Sequence, residues 1–297
     1  MFSHEISYTL VKLILECHFY FLSKGQLSFL IACLHDVGII LMSVVKSRVT
    51  GKEFDPQEWL LRVDMAAAFR LAVNQNWHES VANHFSAAVS DDGKTFLLNP
   101  RWKHFAEIRA SDLLKLNSDD DSAMHGPDAP DPSAWGIHGA IHARLPKARV
   151  ILHCHPVYAT TLCTLKDPSI KPIDQCTGRF FKRYSIDLEL TGTADAAGEG
   201  ERVAEALKQH SILMMGNHGV IVVAETVAEA FEDLYYLERA CQTMVLAYST
   251  GQPLNIMTDE VANNVESGWE KFRKGLAEGH FDYLKKTLDD SDPSYRD

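Results

Sequence analysis

No two of the six cysteines, Cys17, Cys33, Cys154, Cys163, Cys176 and Cys241, form a C-x-x-C pair. That absence excludes a zinc ribbon and a thioredoxin-type redox motif. It leaves mostly buried thiols, as expected of a reducing, cytoplasmic setting. Positive charge is also short: 29 Lys and Arg stand against 40 Asp and Glu, a net charge of -11. Binding to a phosphate backbone needs a concentrated cationic surface, so nucleic acid is not an expected partner. A clean apolar run is missing as well. Residues from Tyr8 to Val45 are rich in Leu, Ile, Phe and Val but are broken by Lys12, Glu16, His18, Lys24, His35 and Asp36. The best stretch, Gln26 to Val45, places His35 and Asp36 near its middle, where ionisable groups are costly in a bilayer, and no firm membrane assignment follows. A secretory signal fits poorly too, for want of a basic start and a small-residue cleavage site. Two readings of this segment stay open: an apolar helical hairpin that packs on the body or a partner, or a non-native leader upstream of a start at Met42. The second is the expectation.

What is present is ordinary globular sequence, 46% hydrophobic and 23% charged over 297 residues, enough to bury a sizeable core. Three segments are expected: an apolar N-terminal extension over 1–53, one domain over 54–255, and a helical extension with an acidic tail over 256–297. Asp55-Pro56 reads as a helix cap before apolar residues at helical spacing, Leu60, Val63, Ala67 and Leu71. Two short strands flank the turn Asp91-Asp92-Gly93, and a further strand covers Leu113 to Leu116. Residues 117–133 are turn formers and acids and read as a surface loop; a helix follows from Ala134 to Arg144. Ala148 to His155 reads as a strand, Gly198 to Gln209 as a helix, and Ser211 to Met215 and Val220 to Val223 as strands joined by GNHG. Thr226-x-x-Glu229 is a capping box opening a long helix to about Ser249. Interleaved strands and helices define an α/β layered domain.

The chemistry concentrates in histidine. In VILHCHP, His153 and His155 stand at i and i+2, which in a strand share one face, while Cys154 points the other way into the core. His218 lies in GNHGV, where glycines permit close backbone approach. Three neutral imidazoles with an open fourth position form a coordination set for catalytic zinc. His138 and His142, at i and i+4 on a helix, compete as a ligand pair but lack the Glu of the metalloprotease motif. Spacing alone leaves metal binding undecided.

The run HCHPVYATTL, the later NHGVIVV, the helix AETVAEAFEDLYYLERACQ and the upstream NHFSAAVSDDGKTFLLNPRWKHFAEIRASDLLKL together resemble the class II aldolase/adducin family, from about Trp59 to Gly251. The resemblance implies a three-layer α/β/α domain around a central, largely antiparallel sheet. It implies one divalent metal per chain held by His153, His155 and His218, zinc first, with Mn²⁺, Fe²⁺ or Co²⁺ also compatible with imidazole. It further implies a small-molecule substrate, a carbonyl polarised by the metal, an enediolate when a C–C bond breaks, and a homotetramer.

Departures from the family pattern are specific. The catalytic Glu that family aldolases carry nineteen residues before the first ligand falls here on Ala134, and a methyl group cannot move protons. The phosphate cradle of the aldolases, a Gly-Asn pair, a Thr/Ser-Gly turn and a Ser-Ser pair, reads here as Asn83-His84, Arg101-Trp102 and Pro132-Ser133. Asn83, His84, Arg101 and Ser133 are therefore substrate or anion-binding candidates. Proton-transfer candidates lie in PIDQCTGRFFKRYS, with Asp174 and Tyr184 foremost and Gln175 and Arg179 beside them. Asn217 is a candidate to orient His218 by a hydrogen bond. The expected activity is a metal-dependent aldolase-type lyase on a hydroxy-carbonyl or sugar-derived substrate. An adducin-like binding module and a decarboxylase or epimerase of the same family stay open as alternatives.

Overall fold

The computed structural model describes residues 45–47, 50–126, 129–189 and 198–297. The expectations for residues 1–44, including a start at Met42, lie outside the described residues. By backbone contacts the described residues divide into two units, 45–47 with 51–57, and residue 50 with those from Glu58 onward. Of the first, the described part is a two-stranded antiparallel ladder, β1 (Val45–Lys46) with β2 (Glu53–Phe54). The second holds all the candidate site residues, and residues 256–297 belong to it.

Its centre is a seven-stranded sheet in the order β5-β4-β3-β6-β9-β8-β7. The strands are β3 (His84–Ala88), β4 (Thr95–Leu98), β5 (Leu114–Asn117), β6 (Val150–Cys154), β7 (Tyr184–Asp187), β8 (Ile212–Met215) and β9 (Val220–Ala224). Every neighbouring pair is antiparallel except β7 with β8. Alternation sorts the side chains by face. Val150, Leu152 and Cys154 enter one core with Phe85, Ala87, Val220 and Val222, covered by helix α1 (Pro56–Asn74) and helix α6 (Val227–Ser249). Ile151, Leu213, Ile221 and Val223 enter the other core, covered by α2 (Pro132–Arg144) and α5 (Glu199–Leu207). This is a three-layer α/β/α arrangement. Helix α3 (Val157–Cys163) follows β6 directly, and its first turn is capped by Glu238 of α6, which accepts from the backbone N–H groups of Tyr158 and Ala159 at 2.9 and 2.8 Å.

Two readings of local sequence are corrected. Helix α2 begins at Pro132 and not Ala134, because Asp131 is its N-cap and accepts from the N–H groups of Ser133 and Ala134. The stretch expected to be loop also holds a 3₁₀ turn over Asp121–His125. The acidic tail is not a free polar end. Helix α8 (Arg273–Ser291) and a 3₁₀ turn over Pro293–Arg296 carry it back to the body, where Tyr295 is fully buried and the N–H of Ser111 donates to Asp297 O at 2.9 Å. Helix α7 (Asp259–Glu270) completes the C-terminal part. Among the described residues no helix is long and apolar enough to cross a membrane.

Candidate metal centre

The end of β6 and the β8–β9 turn bring His153, His155 and His218 together, with their nearest ligand atoms all within 4.8 Å of one another. Ring centroids lie 5.1 Å apart for His153 and His155, 4.9 Å for His153 and His218, and 4.8 Å for His155 and His218. The turn between β8 and β9 is tight: Met215 N–H donates to Gly219 O at 2.9 Å and His218 N–H to Met215 O at 3.1 Å. Gly219 is dictated by crowding. A Cβ there would run into the His155 ring and lie 2.7 Å from Cys154 O.

Hydrogen bonds fix which nitrogen two of the rings present. His153 Nδ1 lies 3.0 Å from Val220 O, and a carbonyl only accepts, so Nδ1 donates and Nε2 keeps its lone pair. His155 Nδ1 lies 2.5 Å from Glu79 Oε2 and donates to it, again freeing Nε2. That His155 Nε2 is buried without any hydrogen-bond partner, which is what a site built for a cation requires of a ligand atom. Burial pushes His218 down to about 4, with the neighbouring His155 adding to the effect, and pushes His153 well below the ordinary histidine range. Neutral nitrogen donors of this kind fit a divalent metal.

Around the imidazoles lies a cavity of about 200 Å³, lined by Asn83, His84, Asn99, Arg101, Trp102, Asp131, Ser133, Ala134 and the three histidines, among others. All four substrate candidates therefore reach it. Asn83 and Trp102, the two positions where the resembled cradle carries glycine, both adopt left-handed backbone, at φ 71 and 64. Asn99 holds the first of these turns, accepting from Phe85 N–H at 3.2 Å and donating to Asn83 O at 3.4 Å. The Asn83 amide itself is buried with neither Oδ1 nor Nδ2 bonded. Arg101 is exposed at the mouth beside Trp102, which is 70% exposed. Ser133 Oγ donates to Asp131 at 2.5 Å. A larger groove of about 820 Å³ runs along α7 and α8, but its lining of Val261, Val265, Trp269, Phe272 and Leu276 supplies no ligating cluster.

Four expectations from the sequence are corrected here. Asp174 lies outside the cavity lining and caps helix α4 (Gln175–Gly178), its Oδ1 accepting from Thr177 N–H and Oγ1 at 2.7 Å each. Tyr184 is spent on the backbone of Ile170, whose N–H donates to its hydroxyl at 2.9 Å. Asn217 is exposed and shapes the turn through its backbone, at φ 55 and with its N–H donating to Cys163 O at 3.1 Å, instead of bonding to His218. Arg179 is buried in an ion pair with Asp233 at 3.0 Å and stacks on Tyr236. Sequence reasoning missed Glu79, Asn99 and Asp131. For Asp131 a signal existed, since Asp131-Pro132 repeats the Asp55-Pro56 cap pattern. Ala134, where the resemblance leads one to expect Glu, packs its methyl against Phe96, Leu98 and Leu116.

A cluster of three histidines at strand ends, able to hold a metal ion, within a three-layer α/β/α domain defines the class of protein, and comparison with known proteins gives it a family. The family model described as Class II Aldolase and Adducin N-terminal domain matches residues 63–245. A Caulobacter vibrioides protein named only to class, aldolase class 2, is 30% identical over 214 residues, 70% of this chain and 80% of the relative. An adducin-related protein of Schizosaccharomyces pombe is 30% identical over 264 residues, 82% of this chain and 78% of its own. The crystal structure of an aldolase II superfamily protein from Pseudomonas syringae superposes with a TM-score of 0.74 at 31% identity, covering 82% of this chain and 98% of that one. The chain belongs to the class II aldolase/adducin family, whose named members include aldolases, a decarboxylase and adducins. Class II aldolases are typically dependent on a divalent metal, act on small molecules and often form oligomers.

Proposed function

We propose that this chain is a zinc-dependent lyase of aldolase type, acting on a small hydroxy-carbonyl or sugar-derived substrate, and that it works as a homotetramer. The observation that carries the reading is the three-imidazole cluster with His153 and His155 tautomers already set for coordination. Bound there, the ion would supply Lewis acidity toward a carbonyl. The protein's own residues do the rest. Asp131 replaces the absent Glu: the hydrogen bonds from the start of α2 all fall on its Oδ1, which leaves Oδ2 to take a proton from the carbon next to the carbonyl of a substrate in the cavity. Arg101 at the mouth binds a substrate carboxylate, for which its planar fork is suited. Ala134 and Ile137 give the cavity an apolar wall that limits water.

A binding module of adducin type is the second reading, favoured by one observation: the apolar packing of Ala134 where family aldolases hold their carboxylate. Decarboxylation or epimerisation would use the same centre. Elemental analysis of wild type beside a His153→Ala/His155→Ala double variant tests the proposal. About one zinc per chain, lost in the variant, supports it when wild type also exchanges the α-hydrogens of hydroxyacetone with deuterium. A folded oligomer with neither metal nor exchange supports the binding module.

A further inference from the structure

Beneath the cavity floor runs a buried file of polar side chains that the chemistry above does not use. His142 Nδ1 on α2 lies 2.6 Å from Ala148 O, and its Nε2 lies 2.7 Å from Ser86 Oγ on β3. Ser86 Oγ also bonds to His138 Nδ1, and His138 Nε2 lies 2.7 Å from His84 Nδ1. Ser86 and His138 are fully buried and His142 nearly so. His84 ends the file at the cavity, paired across β3 and β6 with His153.

The direction of the file is determined at its closed end. A carbonyl oxygen can only accept, so His142 donates from Nδ1 and its Nε2 lone pair receives the Ser86 hydroxyl hydrogen. Ser86 Oγ then accepts from His138 Nδ1–H, and His138 Nε2 accepts from His84 Nδ1–H. Burial keeps the two inner rings uncharged, taking His142 down to about 4 and His138 well below its ordinary range, so that neither can donate from both of its nitrogens. An uncharged imidazole with its hydrogen on Nδ1 carries a bare lone pair on Nε2. Beside it, the unbonded Asn83 amide, 6% exposed, offers a donor to a carbonyl or carboxylate oxygen.

We propose that this file makes His84 a specificity residue, held as a hydrogen-bond acceptor at Nε2, so that the site selects a small hydroxy acid or hydroxy-carbonyl compound with a free hydroxyl over a phosphate ester. The inference rests on the metal-centre reading for the anchoring of that ligand. A phosphoryl group at the same place would set oxygen lone pairs against the imidazole lone pair. Reversing the file would leave a proton on buried His142 near Arg149, which opposes it. The file therefore acts as a lock on one tautomer.

The test reads the tautomer and the preference separately. Long-range ¹H–¹⁵N spectra of the metal-free, ¹⁵N-labelled full chain, with His84→Gln assigning the signals, are expected to show hydrogen on Nδ1 of His84 and none on Nε2. Calorimetry on the zinc-loaded full chain compares glycolate with methoxyacetate, which lacks only the hydroxyl hydrogen in exchange for a methyl. Glycolate is expected to bind about tenfold more tightly. Ser86→Ala, which removes the middle link, is expected to bring the ratio toward one, an effect that methyl bulk alone would not give. Hydrogen on His84 Nε2, equal binding of the two acids, or a ratio unmoved in a folded Ser86→Ala variant overturns the proposal. If Ser86→Ala does not fold, the wild-type spectra and ratio decide. If the chain takes no zinc, the metal-centre reading fails, while the His84 spectra still decide the tautomer.

Discussion

Glu79 Oε2 lies 2.5 Å from Nδ1 of His155, so a carboxylate brought in by the segment before β3 orients an imidazole at the end of β6. Removing the negative charge while keeping the shape should loosen the metal without unfolding the chain. Glu79→Gln is expected to weaken zinc affinity about 10- to 100-fold, read by competition with a chromogenic chelator. An unchanged affinity would show that His155 needs no such partner.

Asp131 separates catalysis from metal binding. Asn is also a good helix N-cap, so Asp131→Asn should keep α2 within about 1 kcal/mol of wild-type stability. Hydroxyacetone deuterium exchange is expected to fall about 100-fold or more with zinc content unchanged. Full exchange in this variant would return the search for the proton acceptor to other cavity residues.

Asp233 sits fully buried among Arg179 at 3.0 Å, Arg183 at 3.1 Å and Arg273 at 2.9 Å. Asp233→Ala leaves Arg179, itself almost wholly buried, without its counter-ion. The expected loss is about 3–5 kcal/mol in urea unfolding. A loss under about 1 kcal/mol would mean that stacking on Tyr236 and Trp269 suffices to hold the guanidinium.

Acid should unfold the metal-free protein early. His84 and His142 are held down to about 4 by burial, whereas the unfolded chain protonates them near the ordinary value of 6.5. Between those values the unfolded state binds more protons, so the stability these residues contribute is complete above 6.5 and is lost as pH falls toward 4. Each contributes a slope of about 1.4 kcal/mol per pH unit inside that window. Urea midpoints at pH 7.5 and 5.5 check the sign, and equal midpoints would contradict it.

The parts of the site that were legible in the sequence are those set by local periodicity. His153 and His155 share a face because a strand alternates, and Cys154 faces the core for the same reason. The turn at Gly93, with φ 74, follows from Asp91-Asp92-Gly93. What stayed hidden depends on pairing between distant strands. His84 meets His153 only through the β3–β6 register, and Glu79 reaches His155 across 76 positions. His138 and His142, read as a rival ligand pair, are spaced to meet Ser86 instead. Asp174 looked chemical because a capping carboxylate and a catalytic one are the same residue type in a loop.

Position 219 also limits what this centre can become. With no room for even a methyl group between His155 and the Cys154 carbonyl, any replacement there has to displace the His155 ring or the end of β6 that carries it. The spacing of the three imidazoles is thus gauged by one missing side chain, at a position whose own residue offers no atom to the cluster.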